Sequence, residues 1–190
     1  GLPAEKFVCE QYQDVLRLDE SLIDLVADRK LPFRGAQALL KFQSGDQREF
    51  AHSVASRLTL TSNQLLQVAE WLLDLLKSTR QDLRTFLVKN QLLSILDDPQ
   101  GDGRQRADRF LSAVYALRFP RLWGYKQKFK ASSQEVLKNI EGLKLEAPEP
   151  FEQEGFVLQA QIRRRDDLDR ILEMLARKKR SLNSLFDIML

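Results

Sequence analysis

One short stretch, Thr61-Ser62-Asn63-Gln64, constrains this chain more than any other. Thr and Gln three residues apart form a capping box, in which the Thr61 hydroxyl accepts from the Gln64 amide and the Gln64 side chain reaches back. Leu60 and Leu65 stand where a hydrophobic staple would close over that turn. Beyond it Leu65, Val68, Leu72, Leu75 and Leu76 recur at three- and four-residue steps, with Trp71 beside them. A helix started this firmly carries one apolar stripe, and that stripe has to be buried against other elements.

The same period runs on both sides. Phe7, Val8, Tyr12, Val15 and Leu16 mark a first helix. Asp19 is placed to cap a second, with Leu22, Ile23 and Val26 inside and Pro32 as its stop. A third is expected from Phe33 to Phe42 through Ala36, Leu39 and Leu40. Asp46 is placed to cap a fourth with Phe50, Val54 and Leu58. After the stripe helix another is expected from Thr79 to about Leu96. The segment Asp97–Gly103 holds one proline, two glycines and three acids, and reads as a linker. It divides the chain into a helical region, 1–97, and a second region, 98–190.

In the second region Phe110, Val114 and Leu117 mark a helix, Pro120 opens another through Leu122, Trp123 and Phe129, and a short one spans Ser133–Ile140. The period then becomes two. "LKLEAPEP" and "GFVLQAQIR" read as two strands joined by an acidic turn. Asp166 is placed to cap a helix ending in Lys178, Lys179 and Arg180. A last short helix carries Leu182, Leu185, Phe186 and Met189. The fold class is mostly α: a multi-helical region followed by a small α/β C-terminal piece with two strands.

Several chemistries have no foothold. A single cysteine, Cys9, excludes an internal disulfide and suits a reducing compartment. No apolar run reaches the roughly 18 residues that a membrane span needs. The one histidine, His52, has no companions for a triad or a metal cluster. The "GDG" of Gly101–Gly103 lacks the lysine of a phosphate loop. The pairs Asp97/Asp98 and Asp166/Asp167 sit in a linker and at a helix start, where acids are expected for local reasons. No catalytic residue, metal ligand or cofactor is expected.

Charge is more informative. The net value is only +3, but no acid stands between Asp108 and Glu135, while Arg109, Arg118, Arg121, Lys126, Lys128 and Lys130 do. Phe119, Trp123, Tyr125 and Phe129 interleave with these cations. Cations contact phosphates and aromatics stack on bases, so the segment is a candidate nucleic-acid surface. Equally, its aromatics can face a core and its cations water. Arg163–Arg165 is a second basic cluster, balanced by Asp166, Asp167 and Asp169.

The run "VLRLDESLIDLVADRKLPFRGAQALLKFQSGDQREFAHSVASRLTLTSNQLLQVAEWLLDLL", roughly residues 15–77, resembles the ParB/KorB family of bacterial plasmid and chromosome partition proteins. "LRLDESLIDLV" matches the family's acidic helix, Arg29-Lys30-Leu31 its turn, "AQALL" (Ala36–Leu40) its "ARALL", and "TLTSNQLLQVAEWL" its "GLSVRELE"-like helix start. Arg34-Gly35 stands where the family has Gly-His, and Gln37 where it has Arg. The family's nuclease-like, nucleotide-binding domain has no counterpart among these residues, and most of its helix-turn-helix would precede residue 1.

The resemblance implies a cytoplasmic, nucleoid-associated, non-catalytic DNA-binding protein, with DNA as partner and a homodimer formed through the C-terminal region. The residues themselves offer a helix-turn-helix over 20–43, with Phe33–Phe42 as its second helix. Arg34, Gln37 and Lys41 would then share one face toward base edges. With Arg118, Arg121, Lys126, Lys128 and Lys130 they make up the expected DNA-binding set. The alternative is a protein-interaction or dimerisation module with no DNA contact of its own.

Overall fold

The computed structural model describes residues 12–138, 142–147 and 155–188. The expected positions of Phe7, Val8, Cys9 and Met189, and the turn joining the strands, lie outside them. The chain forms two compact units, Gly1–Arg118 and Phe119–Leu190.

The first unit is all helical. α1 (Glu20–Ala27) is capped as expected: the Ser21 amide donates to Asp19 Oδ1 at 3.2 Å. It ends well before Pro32, through Arg29, whose φ of 58° turns the chain out of the helix. The amides of Lys30 and Leu31 both donate to the Leu25 carbonyl, at 2.9 Å each.

A single helix over Phe33–Phe42 does not form. The short α2 (Phe33–Ala36) contains Arg34 at ψ 120° and Gly35 at φ 103°, neither helical, and Gln37–Lys41 is a 3-10 turn. Gly35 causes the kink. A Cβ there would lie 3.1 Å from the Ser62 carbonyl oxygen and 3.3 Å from Leu65 Cδ2. The backbone therefore rides directly on the next long helix, in a conformation that only glycine adopts freely.

α3 (Ser44–Glu49) runs straight into a π-helical turn, Phe50–Ala55, which buries Phe50 and Val54 completely. Asp46 does not cap the helix it sits on. Its Oδ1 accepts from the Leu83 amide at 2.8 Å, at the start of a helix much further along the chain.

α4 (Ser62–Thr79) carries the capping box: the Gln64 amide donates to Thr61 Oγ1 at 3.3 Å, and the Thr61 amide donates to Gln64 Oε1 at 3.0 Å. Leu65, Val68, Ala69 and Leu72 are fully buried. Instead of one helix from Thr79 to Leu96 there are two, α5 (Leu83–Lys89) and α6 (Leu92–Leu96). Arg80 (φ 53°) ends α4, and Gln91 (φ 56°) breaks the rest.

α7 (Gly103–Arg118) packs on α4 and α6. Ala107, Phe110 and Val114 are fully buried in the first core. The division of the chain therefore falls after Arg118 rather than at Asp97–Gly103, because α7 supplies part of that core. Phe50, Phe86 and Phe110 are each at most 2% exposed, and burying a ring of this size stabilises by about 1.5–3 kcal/mol. The supposed linker is tied down: the Thr59 amide donates to the Gly103 carbonyl at 3.0 Å.

The second unit begins with α8 (Pro120–Leu137), with proline in its first turn. It runs unbroken past Ser133 to Leu137, where a separate helix was expected to begin. β1 (Leu143–Glu146) and β2 (Val157–Ala160) pair antiparallel, Leu143 opposite Ala160 and Glu146 opposite Val157. α9 (Arg165–Arg177) follows, started by Asp167 rather than Asp166: Asp167 Oδ2 accepts from the Arg164 amide at 3.0 Å. α10 (Lys179–Asn183) and a 3-10 turn, Phe186–Ile188, follow. Phe129, Val136, Leu145 and Leu185 make a small core. The Phe156 ring links Phe129 to Phe186, with centroids at 6.1 and 4.9 Å.

Candidate nucleic-acid interface

The cations expected to form one basic surface separate in the structure. Arg34, Gln37 and Lys41 cannot share a helical face, because Arg34 is in extended backbone and the following turn has about three residues per turn. Arg34 and Lys41 are exposed; Gln37 is half-buried.

Lys41 instead joins two cations that the sequence pattern did not single out. With Lys77 and Arg80, from the end of α4, it lines a cleft of about 440 Å³. The cleft also holds two carboxylates, each anchored to a backbone amide. Asp46 accepts from the Leu83 amide, and Asp82 caps α5 through the Thr85 amide at 2.9 Å. The Thr85 amide and hydroxyl together hold the Asp82 carboxyl below its ordinary range. Sequence period alone does not bring Lys41 and Lys77 together, since they stand on separate elements far apart in the chain.

Arg118, at the end of α7, belongs to the first unit. Its Nε and Nη2 donate to Asp74 Oδ2 at 3.1 and 2.8 Å. Both side chains are well exposed, so the pair stabilises by at most about 1 kcal/mol. It nevertheless gives Arg118 a carboxylate where a phosphate was expected.

α8 carries the other four cations in two groups. Its inner face is set by Phe129, Ser133 and Val136, all buried. At 3.6 residues per turn Arg121, Tyr125 and Lys128 (i, i+4, i+7) fall on one flank of that face. All three are exposed, Tyr125 by 43%. Arg121 and Lys128 have no ion-pair partner among the described residues. Lys126 and Lys130 fall on the opposite flank, beside β1. The phase of each cation relative to Phe129 was the available signal for this separation.

Trp123 is half-buried and Phe129 is core, so of the interleaved aromatics in α8 only Tyr125 is offered outward. His52 is exposed on the π-helical turn. Among the described residues no group of three or more His, Cys, Asp or Glu converges as a metal site, and no helix is long and apolar enough to cross a membrane. Comparison with protein-family models, with curated proteins and with solved structures finds no match for this chain.

Proposed function

We propose that this chain is a non-catalytic DNA-binding protein of the ParB-like partition type, which holds duplex DNA by its phosphates. The observation that carries the reading is the Arg121–Tyr125–Lys128 flank of α8, a cation–aromatic–cation stripe with no opposing acid before Glu135. The cleft of Lys41, Lys77 and Arg80 in the first unit, where three cations stand against Asp46 and Asp82, is a second, more weakly positive place for a phosphate. The resemblance of residues 15–77 to partition proteins supports the same reading.

Phosphate contacts release counterions, so affinity for duplex DNA falls as salt rises, with a slope near 0.9 per phosphate neutralised. Arg121→Glu and Lys128→Glu are each expected to reduce the slope by about one and to weaken all sequences alike. A full-length chain that binds no duplex at low salt overturns the reading.

A second reading, dimerisation through the C-terminal unit, has its own observation. Val157 and Leu158 on β2, and Leu168 and Leu172 on α9, are between 37% and 55% exposed. Leu168 and Leu172 share one face of α9, where a second copy would pack, whereas Val157 and Leu158, consecutive on β2, point to opposite faces of the strand pair. Sedimentation across a concentration series decides it: a monomer throughout removes this reading and leaves the DNA reading untouched.

A further inference from the structure

The other flank of α8 leads to a feature that DNA contact does not use. Between α8 and the β1–β2 pair lies a cleft of about 860 Å³, a volume in the range of small-molecule sites. Its walls are apolar: Phe129 and Leu137 from α8, Leu145 and Val157 from the strands. Its rim carries Lys126 and Lys130, one turn apart on α8, and Lys144 on β1, with Glu146 as its one acid among the described residues. Glu146 is paired with Lys144. Lys130 has no ion-pair partner among the described residues.

One polar group on the wall is unexplained. Ser133 lines the cleft at 6% exposure, and its hydroxyl is the only buried side-chain N or O without a hydrogen-bond partner among the described residues. A helical serine normally returns its hydroxyl to the carbonyl one turn back. An orphaned hydroxyl beside an apolar wall is costly unless something accepts its proton. Ser133 lies one turn beyond Lys130 on the same face of α8, so an acceptor reaching Ser133 is near the unpaired ammonium too.

We propose that this cleft binds a small amphipathic carboxylate, with its acyl or aryl body against Phe129, Leu137 and Leu145 and its anionic head at Lys130 and Ser133. The apolar walls select a body, the Lys130 ammonium selects an anionic head, and Ser133 supplies a donor with no partner among the described residues. The site stands independently of DNA binding, because Arg121 and Lys128 lie on the opposite flank.

Decanoate titrated into the full chain by calorimetry tests this, with decanol and inorganic phosphate as the two half-ligands. Decanoate is expected to bind at least about tenfold more tightly than decanol, the worth of a charge-assisted hydrogen bond, and phosphate is expected not to compete. Ser133→Ala, which removes only the orphan hydroxyl, and Lys130→Glu on the surface are each expected to weaken decanoate about tenfold or more. Arg121→Glu is expected to leave it unchanged. Equal binding of decanol, competition by phosphate, indifference to both Ser133→Ala and Lys130→Glu, or no decanoate binding by the folded protein would each overturn the proposal.

Discussion

The Arg106 guanidinium holds the backbone of Arg57: its Nε and Nη2 donate to the Arg57 carbonyl at 3.3 and 3.0 Å. Its Nη1 donates to the carbonyls of Asp98 and Gly101 at 3.2 and 2.5 Å. One half-buried cation thus ties the Asp97–Gly103 loop to the end of the π-helical turn. Hydrogen bonds from a charged group are worth about 1.5–3 kcal/mol each when lost. Arg106→Ala is expected to lower stability by about that much overall, and Arg106→Lys to recover little, since a lysine cannot serve three carbonyls in one plane. Urea unfolding measures the loss, and faster proteolysis within 97–103 locates it.

The kink at Gly35 gives a paired test. Gly35→Ala meets both a φ of 103° and the Ser62 carbonyl at 3.1 Å, and is expected to cost more than about 1 kcal/mol. Gly45→Ala, inside α3 with nothing within 4 Å, is expected to be neutral or to stabilise by about 0.5–1 kcal/mol. Equal urea midpoints for the two variants would refute the close approach.

The boundary after Arg118 predicts how the chain can be cut. A fragment ending at Arg118 is expected to fold cooperatively, and one ending at Asp97 is not, because Phe110, Ala107 and Val114 leave the first core with α7. In the intact chain Phe110→Ala is expected to cost about 3–5 kcal/mol. Circular dichroism of both fragments through a urea series checks this; a cooperative transition from the shorter one would place α7 outside the first unit.

Acid is expected to loosen the 97–103 loop before the rest of the unit. The Gln100 amide, and then the Arg109 guanidinium, hold the Asp98 carboxyl below its ordinary 3.8; the Gln105 amide does the same for Asp102. A carboxyl depressed on folding stabilises the fold fully above its unfolded pKa, and loses that contribution as pH falls through the lower folded value. Loop protection is therefore expected to be flat above about pH 5 and to fall below about pH 4. Asp98→Asn is expected to remove part of the acid-dependent drop, read by pepsin cleavage rates across that window.

Much of the helical framework was legible because its signals are local. The Thr61–Gln64 box and the Asp19 cap each need only residues within one turn, and both form as their spacing requires. The two strands were legible from a period of two. What escaped depends on residues far apart in the chain. Ala36–Leu40 has good helical spacing, but the approach of Gly35 to Ser62 overrides it. Asp97–Gly103 has the composition of a linker, and only the carbonyl contacts of Arg106 make it part of a core unit. The cations of α8 looked like one patch because composition has no phase. Once Phe129, Ser133 and Val136 set the inner face, Arg121 and Lys128 stand on one side and Lys126 and Lys130 on the other.

The carboxylate of Asp46 sits on α3 and completes the start of α5, across 37 residues of chain. A helix of seven residues gains little by forming alone, since its nucleation outweighs its few internal hydrogen bonds. Asp82 supplies the local cap, and the added acceptor from Asp46 makes part of that nucleation a tertiary event. α3 and α5 are thus bound to one opening event, and amide exchange in the two helices is expected to rise and fall together.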